Sequence, residues 1–176
     1  EAELRRIVGH TYASIAAYEP AERHVRRALE IRGRLLGDED EGTLSALSGI
    51  GSIRLGQGRF DEAVELAEQV LATTRKLRGE NDGETIGARV SLGSALWQAG
   101  LLERAETELR DALAQARAHL PEDADVALTC AQSLAGVCAS VGKQDEGLTL
   151  LRGVVDVRRR RLGTDHPNTL SATSTL

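Results

Sequence analysis

Apolar residues along this chain recur at intervals of three and four, which is the spacing of one side of an α-helix and differs from the alternation of a strand. Leu44, Leu47 and Ile50 form one such stripe, and Ala63 and Ala67 begin the next. Segments rich in glycine, proline, aspartate and asparagine separate the stripes in pairs, as expected of loops. The pattern therefore predicts successive pairs of amphipathic helices, each with one buried side.

The predicted helices repeat with a period of 42 residues. One register marks the turn within each helix pair: Ala16, Gly58, Gly100 and Gly142. A second register marks the break after each pair: Leu36-Gly37, Arg78-Gly79, Leu120-Pro121 and Leu162-Gly163. Glycine reaches the left-handed conformation that ends a helix at little cost, so the first register predicts the connections between paired helices. The predicted units are approximately 1–36, 41–78, 84–119 and 126–162, with a partial unit at 167–176.

Small residues recur where the two helices of a pair must approach closely. They are Gly9, Gly51, Gly93 and Ala135 in the first helices, facing Ala21, Ala63, Ala105 and Gly147 in the second helices. Larger side chains at these positions would push the backbones apart. Because one pair cannot cover its own apolar side, neighbouring pairs must stack. The predicted fold class is all-α, a single right-handed α-solenoid of antiparallel helix pairs, with about four pairs plus a partial helix.

These positions resemble the tetratricopeptide repeat family, whose pattern combines a glycine, an aromatic residue near the turn and an alanine. Two units match the pattern, with Gly9, Tyr18 and Ala21 in one and Gly51, Phe60 and Ala63 in the next. The usual repeat of the family has about 34 residues. The 42-residue form and the segment 162–169 resemble its kinesin light chain subtype. The resemblance covers essentially the whole chain and implies a peptide or protein ligand along the concave side of the solenoid.

The charge balance restricts the kinds of partner. The chain has 22 basic and 27 acidic residues, a formal net charge of −5, so direct binding of nucleic acid or of an anionic membrane is not expected. Its apolar stretches are shorter than the roughly 20 residues that cross a bilayer, and a cytoplasmic location is predicted. All but two basic residues are arginine, which indicates codon bias in a GC-rich genome, and a bacterial origin is a separate expectation. The chain starts at Glu1 and has no methionine, so we expect it to be a segment of a longer polypeptide.

No residue pattern predicts a catalytic, cofactor-binding or metal-binding site. The four histidines, His10, His24, His119 and His166, lack the spacing of a zinc site. Cys130 and Cys138 lie eight residues apart, which is about 12 Å along a helix and too far for a disulfide. Cys138 falls on a buried stripe and is interpreted as a core residue. The run 158–161 consists of four arginines and is interpreted as a solvated helix end, the alternative being a nucleic-acid patch.

The side of each first helix opposite its buried stripe is predicted to line the concave groove. This partner-binding set comprises Arg6, His10, Ser48, Ser52, Leu55, Val90, Ser94, Trp97, Gln98, Gln132, Gly136 and Ala139. Most of these side chains are short, which leaves room for long side chains of a partner. Trp97 has two interpretations, an exposed groove anchor or a residue that packs on the neighbouring repeat. Arg6 and His10 would suit a carboxylate or an acidic peptide.

The leading functional hypothesis is a protein or peptide interaction scaffold that presents a preformed groove. One alternative is the sensor arm of a bacterial multidomain signalling or transcription regulator. Another is an enzyme domain built on a helical repeat scaffold, for which no acid, base or metal cluster is visible in the sequence. Exposed repeat ends also predict possible self-association.

Overall fold

The structure is a computed structural model that describes residues 1–173 of the 176. Within these residues all regular elements are helices, and no strand is present. The elements are α1 (Ala2–Ser14), α2 (Tyr18–Leu36), α3 (Glu41–Gly56), α4 (Phe60–Arg78), α5 (Gly83–Gln98), α6 (Leu102–His119), α7 (Asp125–Ser140), α8 (Gln144–Leu162) and α9 (Pro167–Thr173). The last three positions of the predicted partial unit 167–176 lie outside the described residues.

The chain divides into two compact units, Glu1–Gly79 and Glu80–Leu176. In the first unit α1 packs against α2, α2 against α3 and α3 against α4, and α1 also contacts α3. In the second unit consecutive helices pack against each other from α5 to α9, and α5 also contacts α7. Both units therefore consist of helix pairs packed in chain order, in which the first helices also touch one another.

The turn within each pair depends on one residue in the left-handed region. Gly58, Gly100 and Gly142 have φ angles of 73°, 77° and 80°, which confirms the conformation predicted for this register. Ala16 occupies the same register in the first pair and also has a positive φ, of 57°. An alanine Cβ clashes with the backbone in this conformation, so the turn between α1 and α2 is strained where the other three are relaxed.

Small residues allow the paired helices to approach, as the sequence predicts. A Cβ atom added at Gly9 would lie 3.1 Å from the carbonyl oxygen of Ala21, and one added at Gly147 would lie 3.0 Å from that of Ala135. A Cβ atom at Gly93 would instead meet the side chain of Leu109, at 2.5 Å. The close approach is therefore present in both units, although Leu109 rather than Ala105 fills the space beside Gly93.

The core of each unit contains residues of the predicted stripes, such as Ile50, together with residues outside them, such as Ile53. Leu47 and Ala67, which the stripes include, are half-buried. In the first unit a buried cluster joins α2 and α3: Ala21, Val25, Ala46, Ile50 and Ile53. In the second unit the most deeply buried side chains include Ile86, Leu96, Leu109, Leu134 and Val154. Cys130 and Cys138 are free and both fully buried, and burial raises the pKa of the Cys130 thiol to about 12. Their interpretation as core residues is confirmed.

Candidate interaction surface

Each unit has its own first-helix surface, defined as the sides of its first helices that carry predicted partner-binding residues: α1 and α3 in the first unit, α5 and α7 in the second. In the first unit, α3 contributes Ser48, Ser52 and Leu55. Ser48 and Ser52 are exposed, and their hydroxyls donate to the carbonyl oxygens of Leu44 and Ser48, each at 3.1 Å. Because both hydroxyls are satisfied within their own helix, this part of the surface is open and uncharged rather than strongly hydrogen-bonding.

Helix α1 contributes the only basic groups of the predicted set, Arg6 and His10. Arg6 pairs with Glu3, one turn earlier, with a shortest separation of 2.6 Å between a guanidinium nitrogen and a carboxylate oxygen. This hydrogen bond with Glu3 raises the pKa of Arg6. His10 is exposed. Any carboxylate that bound Arg6 would therefore compete with an acid already in place.

In the second unit the surface is dominated by Trp97, which reaches from α5 to α7. Its indole Nε1 donates a hydrogen bond to Ser140 Oγ at 2.9 Å. Its ring lies over Gly136, where an added Cβ atom would be 2.5 Å from Cη2 of the indole. The side chain nevertheless stays 36% exposed. Trp97 thus packs on the neighbouring repeat, as the second interpretation states, and still offers part of its ring to solvent.

Two predicted residues do not lie on an open surface. Val90 is only 6% exposed, so its prediction as a groove residue is wrong. Gly136 lies beneath the indole of Trp97, so it provides the space that the indole fills and no room for a partner. Helical spacing gives the side of a helix on which a residue lies, but it does not show what packs over that side, as Trp97 does over Gly136.

The other predicted residues of the second unit remain accessible to different degrees. Gln98 and Ala139 are exposed and Ser94 is half-buried. Gln132 is half-buried, and its side-chain oxygen accepts a hydrogen bond from Arg158 at 2.9 Å. Ser140 was not predicted, although it shares the 42-residue register of Gln98, and that register is the signal that would have found it.

The arginine run at the end of α8 is largely engaged within the second unit. Besides the contact of Arg158 with Gln132, Arg160 pairs with Glu122 at 3.0 Å. Arg161 pairs with Asp125 at 2.9 Å. These acceptors belong to the loop before α7 and to its first residue, so the arginines tie α8 to that loop. This arrangement supports the helix-end interpretation over a continuous cationic patch.

Neither a metal centre nor a membrane span is found among the described residues. Residues 1–173 contain no group of three or more His, Cys, Asp and Glu side chains placed to hold a metal ion. None of the helices in the same range is long and apolar enough to cross a bilayer.

Sequence comparison identifies the repeat. Tetratricopeptide repeat profiles match residues 2–76 and 42–118, and a further tetratricopeptide repeat profile matches residues 127–168. The chain belongs to the tetratricopeptide repeat (TPR) family. No curated protein sequence matches this TPR chain.

Solved structures share the fold at low sequence identity. A putative kinesin light chain from Podosopora anserina with nearly identical TPR-like repeats is 22% identical with a TM-score of 0.76, over 97% of this chain and 81% of that one. BtubC (BKLC) from P. vanneervenii is 17% identical with a TM-score of 0.75, over 94% and 66%. A Rap protein complexed with Competence and Sporulation Factor is 17% identical with a TM-score of 0.74, over 99% and 52%. The predicted all-α TPR fold class and the resemblance to kinesin light chain-like repeats are confirmed.

Proposed function

We propose that this TPR chain is an interaction scaffold that binds a peptide or protein partner on the first-helix surface of the second unit. The observation that carries the proposal is the state of Trp97, which is held by Ser140 and Gly136 while 36% of it stays exposed. A tryptophan whose orientation is already set loses little conformational entropy when a partner covers it. Half-exposed tryptophans of this kind are frequent energetic centres of interfaces.

The surroundings of Trp97 indicate which partner groups would fit. Gln98 and Ala139, on the same first-helix surface, are exposed and uncharged. A charged partner side chain would lose hydration here without gaining an ion pair. The proposed partner segment therefore contacts this surface with apolar or neutral side chains.

The fold neighbours support this class of function. The Rap protein, which shares the fold, was solved in complex with Competence and Sporulation Factor, so a chain of this architecture is compatible with partner binding.

The TPR family is generally non-catalytic, and we propose binding rather than turnover for this chain. A protein or peptide partner also fits the net charge of −5 better than nucleic acid does. The sensor-arm alternative, a cytoplasmic location and self-association through repeat ends stay predictions.

Site-specific photocrosslinking tests the proposed surface. A photoreactive residue is placed at Gln98 or Ala139, and matched controls carry it at Glu65 or Arg152, which are equally exposed but belong to the second helices α4 and α8. In cells expressing the intact protein, the first pair is expected to capture the same partner peptide, identified by mass spectrometry, and Trp97→Ala is expected to abolish that product. Equal capture at the control positions, or capture that Trp97→Ala leaves unchanged, would overturn the proposal.

A further inference from the structure

An apolar cleft of about 150 Å³ lies in the second unit between α6, α7 and α8. Leu113, Ala131, Leu150 and Val154 are among its lining residues. Ala131 and Gly136 lie on different sides of α7, because five residues turn an α-helix through about 140°. The cleft is therefore separate from the first-helix surface.

Small residues keep this cleft open. Ala131 stands at the register of Leu47 in the first unit, and Gly153 at the register of Gln69. A Cβ atom added at Gly153 would meet nothing within 4 Å, so the space beside it is empty. The cleft is open to solvent at Gly153, which is exposed, and its volume of about 150 Å³ is that of a cavity that holds a ring the size of benzene.

One cation at the edge of the cleft, Arg117, has no protein partner within residues 1–173. Arg117 contributes to the lining, and among the described residues its side chain forms no hydrogen bond or ion pair. Glu122 also lines the cleft, but its carboxylate pairs with Arg160 at 3.0 Å. The acid at the edge is thus already compensated, whereas the guanidinium of Arg117 is available to an incoming anion.

We propose that this cleft binds a compact apolar monocarboxylate, an aromatic ring or short branched alkyl group that carries one carboxylate. The apolar part occupies the space beside Ala131 and Gly153, and the carboxylate accepts hydrogen bonds from Arg117. Apolar burial contributes most of the affinity, and the charge-assisted contact with Arg117 selects the anion over a neutral compound of the same shape.

Titration of the intact chain with phenylacetate, benzyl alcohol and acetate, followed by amide NMR shifts of residues around the cleft, tests the proposal. Phenylacetate is expected to bind saturably in the millimolar range and about fivefold to tenfold more tightly than benzyl alcohol. Acetate, which lacks the ring, is expected to cause no saturable shift. Absence of saturable shifts with phenylacetate at up to about 50 mM would overturn the proposal.

The chain offers a matched control for the cation. Arg159 has the 42-residue register of Arg117, is exposed, and does not line the cleft. Arg117→Gln is expected to reduce phenylacetate affinity to that of benzyl alcohol, whereas Arg159→Gln is expected to leave it unchanged. Equal losses in both variants would indicate unspecific charge attraction and would contradict the proposed site.

A second variant tests the apolar part of the cleft. Gly153→Gln introduces the residue found at the same register in the first unit, and its fold is checked by circular dichroism. It is expected to remove the binding of both ring compounds by filling the cleft. A folded Gly153→Gln protein that binds phenylacetate with unchanged affinity would place the ligand elsewhere and refute the assignment.

Discussion

Helices α3 and α5 stand at corresponding places in the repeat, and each buries one arginine at a position where the other has leucine. Arg54 in α3 shares its register with Leu96 in α5, and Arg89 in α5 shares its register with Leu47 in α3. Arg54 is 3% exposed and Arg89 is 6% exposed. The repeat therefore accepts either an apolar or a charged side chain at these positions, and the neighbouring helices decide which one is stable.

The acids around the two arginines explain this difference. Arg54 forms ion pairs with Glu22 of α2 and with Glu62 of α4, with nitrogen–oxygen distances of 2.7 Å and 3.1 Å. Arg89 forms ion pairs with Glu80 of the preceding loop and with Glu108 of α6, the latter with a nitrogen–oxygen distance of 3.0 Å. A buried guanidinium is tolerated only when such partners replace its lost hydration. The Nε of Arg89 is buried without a hydrogen-bond partner, so the site in the first unit is the more completely satisfied of the two.

The clefts beside the second helices also differ between the two units, in the number of charged residues that line them. The cleft of about 320 Å³ between α2, α3 and α4 is lined by charges of both signs, Arg26, Arg54, Glu62 and Glu65 among them. The corresponding cleft of the second unit is mostly apolar, with Arg117 and Glu122 as its charged lining residues. Two units with the same helix plan thus present chemically different surfaces.

Replacing Arg54 with the leucine of the other unit should have the largest effect. Arg54→Leu leaves the carboxylate of Glu22, which is 20% exposed, without its principal partner, and we expect the free energy of unfolding of the first unit to fall by about 3 kcal/mol. Urea denaturation with hydrogen exchange of α2 and α3 measures the change. The double variant Arg54→Leu/Glu22→Gln should recover most of the loss, and equal destabilisation of both variants would show that lost packing, not an unpaired charge, is the cause.

The next largest effect should be on the pH dependence of the free energy of unfolding, which is expected to be stronger in the first unit. The hydrogen bond from Arg54, followed by that from Arg26, lowers the pKa of Glu22 from 4.5 to about 2. A carboxyl whose pKa is lowered on folding stabilises the protein above its unfolded-state pKa, and that contribution is lost as pH falls from about 4.5 towards 2. We expect the first unit to lose about 2 kcal/mol in this window. Unfolding measured at several pH values should show a weaker dependence in Arg54→Leu/Glu22→Gln, and an unchanged dependence would assign the titration to other carboxyls.

Truncation of Trp97 should cost more stability than truncation of the corresponding residue on the first-helix surface of the first unit. Trp97→Ala removes the contact with Gly136 and the hydrogen bond to Ser140, and the second unit should lose about 2 kcal/mol. Leu55→Ala, at the same register in the first unit, should cost about 1 kcal/mol or less, because Leu55 is a smaller side chain. Thermal unfolding followed by circular dichroism compares the variants. A smaller loss for Trp97→Ala than for Leu55→Ala would contradict a packing role for the indole.

The smallest expected effect is at the turns within the helix pairs. Ala16→Gly should stabilise the first unit by about 1 kcal/mol, because glycine adopts the positive φ of this turn without strain. The opposite exchange, Gly58→Ala, should destabilise the same unit by about 1 kcal/mol. Denaturant midpoints measure both changes. If the two substitutions shift stability in the same direction, the strain assigned to Ala16 is absent.

Much of this fold follows from local sequence signals. The 42-residue period predicted the helix pairs, and the register of Gly58 predicted turns with positive φ. The spacing of Cys138 within a buried stripe predicted its burial. These features depend on residues close together in the chain, whose helical geometry is independent of what packs against them.

The candidate site was only partly predictable for the opposite reason. Val90 and Gly136 satisfy the same spacing rule as Gln98 and Ala139, but Val90 is buried and Gly136 lies beneath Trp97. The partners of a buried arginine are equally invisible to spacing, because Glu22 and Arg54 lie 32 residues apart in the chain.

The helical repeat, its period, its turns and the apolar side of each helix could be read from the amino-acid sequence, because these arise from local backbone geometry and from the hydrophobic effect acting on each helix. Which residues of the first-helix surfaces stay accessible, where Trp97 packs and how Arg54 and Arg89 are neutralised became visible in the packed helices. Those outcomes depend on side chains that neighbouring helices bring together across long separations in the chain, and their packing is a property of the assembled unit.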